Sequence, residues 1–151
     1  MSDQYPLIIL SAEDDPDDCL LVKDAFCESG QESHLRFVQD GVELLRYLRR
    51  EGHYSTAADS PRPDLILLDL NMPGKDGRES LAEIKADPDL RSIPVVVLTT
   101  SNADEDVLRT YDLGCAGYIT KPASYQGMVE MVKVLNQYWF EIVELIGRRG
   151  H

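Results

Sequence analysis

The chain has 151 residues, 43% of them apolar and 28% charged, a size and mixture suited to a single domain with a single core. A formal net charge of −12 argues against binding nucleic acid or an anionic membrane through a basic face, because phosphate contacts need clustered Lys and Arg. No apolar run approaches the roughly 20 residues of a membrane span, the start MSDQYPLIIL lacks a signal peptide's pattern, and Cys19, Cys27 and Cys115, without metal-type spacing, read as reduced thiols of a cytoplasmic protein.

An aliphatic run at residues 7–10 predicts the first strand. The first helix follows from Asp15, where Asp caps free backbone donors and Pro16 suits the first helical position. It carries Leu20, Leu21, Val22, Ala25 and Phe26 and ends at Gly30. Cys19 and Cys27 fall on it as small buried side chains. Residues 34–38 predict a weaker second strand, and 41–51 a second helix with Leu44, Leu45 and Leu48 facing in. The stretch HYSTAADSPRP at 53–63 reads as a surface loop. Strands follow at 65–68, 93–98 and 116–119, and helices at 76–86, 103–113 and 123–146, with Gly114 capping the fourth helix. Apolar runs alternating with amphipathic segments predict (βα)5, a flavodoxin-like, doubly wound, parallel five-stranded sheet. The whole chain is expected to be one domain: a core at about 5–122, a long last helix at about 123–147 and a short tail at 148–151.

Asp69 sits at the end of the run LILL, where an unpaired buried carboxylate would cost several kcal/mol. In an open parallel sheet, ligands bind outside the carboxyl ends of the strands. Glu13-Asp14 ends the first strand, Asp69 the third and Thr99-Thr100 the fourth, and Lys121 follows the fifth. The first and third strands are neighbours in this fold, so three carboxylates, a hydroxyl and an ammonium converge on one rim. Clustered carboxylates repel and hold protons more tightly. A divalent cation relieves this, and hard oxygen ligands in small number point to Mg²⁺. In EDDPDD, Asp15 is assigned to capping, and Asp17 and Asp18 to the positive first turn of the helix. Singly, Lys121 reads as a solvated lysine and Thr99 as a strand threonine. The convergence carries the reading.

Taken together, the pieces resemble a bacterial response-regulator receiver domain. They are Glu13-Asp14, Asp69 after LILL, Asn71-Met72-Pro73 with Asp76-Gly77, Thr99 after PVVVL, and Lys121-Pro122 in GYITKP, in the family's order over about residues 5–146. The resemblance implies a phosphorylation-dependent switch that is not a turnover enzyme. Asp69 would accept phosphate from a histidine kinase. Asp14 would bind Mg²⁺ directly, Glu13 through water, and Asn71 by its backbone carbonyl. Thr99 would bond a phosphoryl oxygen, Lys121 would pair with Asp69 and then with the phosphoryl group, and the Lys121–Pro122 bond would be cis. Tyr118 resembles the aromatic residue that turns inward on activation. Two departures stand out: Glu-Asp in place of Asp-Asp, and Thr100 where a smaller residue is common. The bulk of Thr100 is expected to hinder attacking water and lengthen the phosphorylated lifetime. The run PDLILLDLNMPGKDGRESLAEIKADPDLRSIPVVVLTTS, the loop before it and the end of the chain at His151 without an output domain resemble regulators paired with bacterial phytochromes. The implied partner is a sensor histidine kinase of that kind.

Rival readings are weaker. A calcium loop in DLNMPGKDGRES fails at Pro73 and at Ser80, where a bidentate Glu is needed. A flavin or nucleotide site lacks a phosphate cradle, and Gly74-Lys75 lacks the rest of a P-loop. An aspartyl-phosphate phosphohydrolase is the alternative, but it would want an acid where Asn71 stands. In the last helix, Met128, Val132, Leu135, Trp139, Ile142 and Ile146 follow heptad-like spacing, with a second stripe of Met131, Val134, Tyr138 and Leu145. A helix of about 24 residues spans roughly 36 Å, against about 20 Å for a strand. The overhang predicts a homodimer through the last helix and the face of the fourth helix and fifth strand.

Overall fold

The computed structural model describes residues 8–28, 34–56 and 60–142, with the backbone alone for 34 and 140–142. Five strands, β1 (Ile8–Ala12), β2 (His34–Val38), β3 (Leu65–Leu68), β4 (Val95–Thr99) and β5 (Gly117–Thr120), form one sheet in the order β2-β1-β3-β4-β5. Every pairing is parallel. The helices α1 (Pro16–Glu28), α2 (Gly41–Arg49), α3 (Gly77–Ala86), α4 (Asp104–Leu113) and α5 (Tyr125–Asn136) alternate with the strands. This is the flavodoxin-like arrangement expected.

The aliphatic runs are explained by burial on both faces. Side chains alternate across a strand, so Ile66 and Leu68 pack with Leu10, Val95 and Val97 beneath Leu44, Leu81 and Ile84. On the other face, Leu65 and Leu67 pack with Ile9, Val96 and Leu98 beneath Val22, Phe26 and Val129. Gly114 caps α4 as expected, at φ 104°, and α2 closes slightly before its expected end, with Arg50 as its cap at φ 54°, ψ 52°. No described helix is long and apolar enough to cross a membrane.

Four local expectations are corrected. The stretch at 53–63 is more than a surface loop. It contains a short 3-10 turn (Gly52–Tyr54), and Ser60 is buried with its hydroxyl within 2.7 Å of the Tyr54 carbonyl and 2.9 Å of the Thr56 carbonyl. Tyr47 donates its hydroxyl to the Pro61 carbonyl across the same loop, at 2.9 Å. Strand β4 starts at Val95, because Pro94 has no N–H to give to a ladder. Cys27 is exposed because it lies off the α1 stripe of Val22, Ala25 and Phe26, and Cys19, in the first turn of α1, is half-buried with its thiol 3.5 Å from the Glu13 carbonyl; only Cys115 is buried.

The fourth correction concerns the last helix. Met128, Val132, Leu135 and Trp139 are 2%, 0%, 8% and 9% exposed and belong to the core cluster with Ile9, Val22 and Phe26. They dock α5 onto its own sheet and α1, so they are not a free dimer face. The spacing misled because a helix lying on a sheet needs the same three-and-four stripe as a coiled-coil seam. After Asn136 the α-helix gives way to a π-helix, Gln137–Ile142. The side chain of Ile142 and all of Leu145 and Ile146 lie outside the described residues. Of the second stripe, Val134 is 66% and Tyr138 50% exposed, while Met131 is partly buried against the core.

Candidate functional site: an acidic rim around one lysine

The register of β1 against β3 brings the acids level. Ala12 pairs with Leu68, so Glu13-Asp14 and Asp69 leave adjacent strands side by side. The Asp69 N–H donates to the Ala12 carbonyl at 3.1 Å, and the Glu13 N–H to the Val38 carbonyl at 2.9 Å. Glu13 and Asp69 are buried and Asp14 is exposed. One carboxylate oxygen from each of the three lies within 4.8 Å of the others.

Lys121 is set by the end of β5, where its N–H donates to the Thr99 carbonyl at 2.7 Å. Its side chain is 7% exposed, and Nζ reaches Glu13 at 2.5 Å, Asp18 at 2.8 Å and Asp69 at 3.3 Å. The Lys121–Pro122 bond is trans, because the described residues contain no cis peptide. This corrects the cis expectation; trans is the intrinsically preferred isomer of an X–Pro bond, by about 0.5–1 kcal/mol. Asp18 was assigned to the helix turn alone, yet it is the second acid on the ammonium. Its partner lies 103 positions along the chain, so no local spacing pointed to it.

The turn after β3 is built around a close approach. The Gly77 N–H donates to the Leu70 carbonyl at 3.0 Å. A Cβ at Gly77 would lie 2.2 Å from the Asp69 carbonyl oxygen, so only glycine lets α3 begin there. Asp76 caps α3 by accepting the Glu79 N–H at 3.0 Å. Asp76-Gly77 is therefore both a helix start and the support beneath Asp69. Asn71 is exposed, and its N–H donates to Asp69 Oδ1 at 3.3 Å.

Thr99 is fully buried at the end of β4, and Thr100 beside it is exposed. Tyr118 is half-buried against the core, and its hydroxyl donates to the Ser101 carbonyl at 2.8 Å. Ser101 and Asp106 lead on to Arg78, a group of residues that sequence spacing did not single out. Arg78 grips Asp106 through one guanidinium edge, Nε donating to Oδ1 and Nη2 to Oδ2, both at 2.8 Å. Those bonds, with one from Ser101, hold the Asp106 carboxyl down at about 2.

The electrostatics of the rim are unbalanced. Burial, then the Lys121 bond acting against it, then neighbouring Asp69 leave the Glu13 carboxyl pushed up to about 7. Burial disfavours the charged Lys121, but bonds to Asp18 and Glu13 and the nearby Asp69 outweigh it and raise its pKa. One ammonium thus faces more carboxylate charge than it can neutralise. The donor set suits a hard divalent cation: the ligands are all oxygen, and one from each residue lies within 4.8 Å of the others.

A pH dependence follows. Glu13 holds its proton more tightly folded than at the ordinary carboxyl value of 4.5. Its contribution to stability is full below that value and is lost as pH rises through about 7. Without divalent cation, the melting temperature is expected to fall between about pH 6 and pH 8. Added Mg²⁺ should raise it more at the higher pH, and Glu13→Gln should flatten the dependence. Scanning calorimetry across that interval checks this, and a metal-free melting temperature that climbs with pH would contradict it.

Comparison with known proteins supports the same reading. Residues 9–133 match the family model of the response regulator receiver domain. Response regulator Rcp1 of Synechocystis sp. is 44% identical over 147 residues, covering 96% of this chain and 98% of Rcp1. The phosphorylated cyanobacterial phytochrome response regulator RcpA superposes with a TM-score of 0.87 at 44% identity, over 94% of this chain and 99% of that one. The Mn²⁺-bound form of Rcp1 superposes at 0.83 and 44% identity, over 93% and 99% of the two chains. With the family model spanning most of the sequence and a relative aligned almost end to end, the chain belongs to the response-regulator receiver domains, the phosphorylation-dependent switches of two-component signalling.

Proposed function

We propose that Asp69 takes a phosphoryl group from a sensor histidine kinase, with Mg²⁺ held by Asp69, Asp14 and the Asn71 carbonyl and steadied by Glu13 through water. The observation that carries the reading is the meeting of Glu13, Asp14 and Asp69 with Lys121 at one rim. An Asp69 oxygen attacks phosphorus as the P–N bond to the kinase histidine breaks, and the imidazole leaves with the electron pair. Charge repulsion is the main obstacle. The cation, when bound, neutralises the phosphoryl oxygens; Lys121 supplies the other positive charge, already beside Asp69. Thr99 donates to a phosphoryl oxygen once the group is in place. Phosphorylated RcpA and Mn²⁺-bound Rcp1 support this reading, and the likeness to RcpA, a phytochrome response regulator, favours a phytochrome-type kinase as partner.

Incubating the chain with a small phosphodonor and Mg²⁺ should add one acid-stable, base-labile phosphoryl group by intact mass, and a chelator should prevent it. Sustained release of many phosphates per chain would favour the phosphohydrolase instead. Thr100 is exposed and follows Thr99 at the end of β4, and we infer that its bulk hinders water attacking a phosphoryl group on Asp69. Thr100→Ala should therefore shorten the phosphorylated lifetime several-fold; an unchanged or slower decay removes the idea.

The contact surface used for output lies on either side of the edge strand β5. There Leu108 and Tyr111 on α4 are 66% and 49% exposed, and Val134 near the end of α5 and Tyr138 in the π-helix after it are comparably bare. A second copy of the chain is the proposed occupant, since apolar exposure of this kind marks interfaces. Light scattering at tens of micromolar should give a dimer mass for the wild type and a monomer for Val134→Asp with Tyr138→Asp. A monomeric wild type, with and without phosphodonor, would refute the dimer.

A further inference from the structure

Three elements meet at Ser101. Its N–H donates to Thr99 Oγ1 at 3.4 Å, its carbonyl accepts the Tyr118 hydroxyl at 2.8 Å, and its own hydroxyl donates to Asp106 Oδ2 at 2.6 Å. Asp106 lies in the first turn of α4 and Arg78 in the first turn of α3. The two side chains are only 15% and 19% exposed, and the guanidinium grips both carboxylate oxygens. A bidentate pair fixes orientation as well as distance, which a lysine could not do. Arg78 is anchored at its other end too. It follows Gly77, whose backbone packs on that of Asp69.

These bonds bear on the rim, although neither Arg78 nor Asp106 belongs to the carboxylate cluster. Thr99 Oγ1 accepts from the Ser101 N–H, which leaves the Thr99 hydroxyl hydrogen free to donate. A phosphoryl oxygen on Asp69 is the acceptor that the receiver reading supplies. Without the grip on Asp106, Ser101 loses the partner that orders it. The Thr99 donor and the Tyr118 anchor would then have to be ordered at the moment of phosphorylation, at an entropic cost.

We propose that Arg78 and Asp106 are positioning residues that hold Ser101, and through it Thr99 and Tyr118, in the arrangement that receives the phosphoryl group, coupling the state of Asp69 to the placement of α4. The inference rests on the assignment of Asp69 as acceptor. Coupling is reciprocal, so whatever binds α4 in this arrangement also favours phosphorylation. The simpler alternative is an ion pair that ties α3 to α4 and leaves the rim indifferent.

The test uses the full chain with Mg²⁺ and beryllofluoride, a tetrahedral group that docks on a carboxylate as phosphate does, in titration calorimetry. Arg78→Gln and the isosteric Asp106→Asn, each checked for a wild-type melting transition, are expected to weaken beryllofluoride binding roughly five- to tenfold. Mg²⁺ binding alone should stay unchanged, since its ligands are untouched. The double variant should lose no more than the worse single variant, because the pair acts as a unit. Undiminished beryllofluoride binding in both single variants overturns the proposal, as do additive losses in the double variant or a parallel loss of Mg²⁺ binding. A wild type that binds Mg²⁺ but no beryllofluoride would overturn the acceptor assignment instead.

Discussion

Asp69→Asn is expected to gain no phosphoryl mass under conditions in which the wild type gains one. The amide keeps the shape of the side chain but has no anionic oxygen to attack phosphorus. It also removes one of the three carboxylates that could hold the cation. Loss of folding is not the cause to expect. Asp69 is one of the groups that push the Glu13 carboxyl up to about 7, so neutralising it relieves repulsion at the rim. The metal-free variant should melt no lower than the wild type near pH 8, while Mg²⁺ should stabilise it less. Intact mass and a melting curve on the same sample read both effects. Phosphoryl gain by a folded Asp69→Asn would move the acceptor to another acid of the rim, with Asp14 the first candidate.

Lys121→Met should have the largest effect on stability. This ammonium is the single cation within 4.0 Å of Glu13, Asp18 and Asp69 among the described residues, and its side chain is 7% exposed. Removing one partner of a buried ion pair costs about 3–5 kcal/mol, because the charges left behind stay desolvated. Protonation offers an escape: with Glu13 already near 7, acidification should recover part of the loss. The pKa of Lys121 is raised above its ordinary value of 10.5, so the wild type keeps this contribution at every pH below that value. Urea unfolding is therefore expected to show a deficit that is large near pH 8 and smaller near pH 5.5. Mg²⁺ should narrow it by replacing the missing charge. A loss below about 1 kcal/mol at the higher pH, the size of an exposed pair, would mean that the lysine is not the counter-charge of the rim. The phosphorylation rate should fall in the same variant.

Much of the site was legible because the fold places strand ends together. Once Leu65 to Leu68 and Val95 to Leu98 are read as strands buried on both faces, their next residues must emerge at one edge. Glu13, Asp14, Asp69, Thr99 and Lys121 follow from that rule. The contacts that escaped are between side chains whose partners lie far along the chain. Asp18 meets Lys121 across 103 positions and Arg78 meets Asp106 across 28. Nothing in the local spacing of Arg78 distinguishes it from a solvated helix residue. Thr99 was read from its place at a strand end, whereas Ser101, two residues on, matters only because of what surrounds it.

The sequence by itself determined the parallel sheet and which residues stand at its carboxyl edge, because hydrophobic period and strand ends are local properties. Tertiary structure alone decided which acid of EDDPDD joins Glu13 on the lysine, and what covers the apolar stripe of α5. Periodicity reports that a face is buried but not by which neighbour. Met128, Val132, Leu135 and Trp139 are covered by this chain's own sheet and first helix, while Val134 and Tyr138 remain exposed. The difference is one of packing partners, which become defined only when the chain has closed on itself.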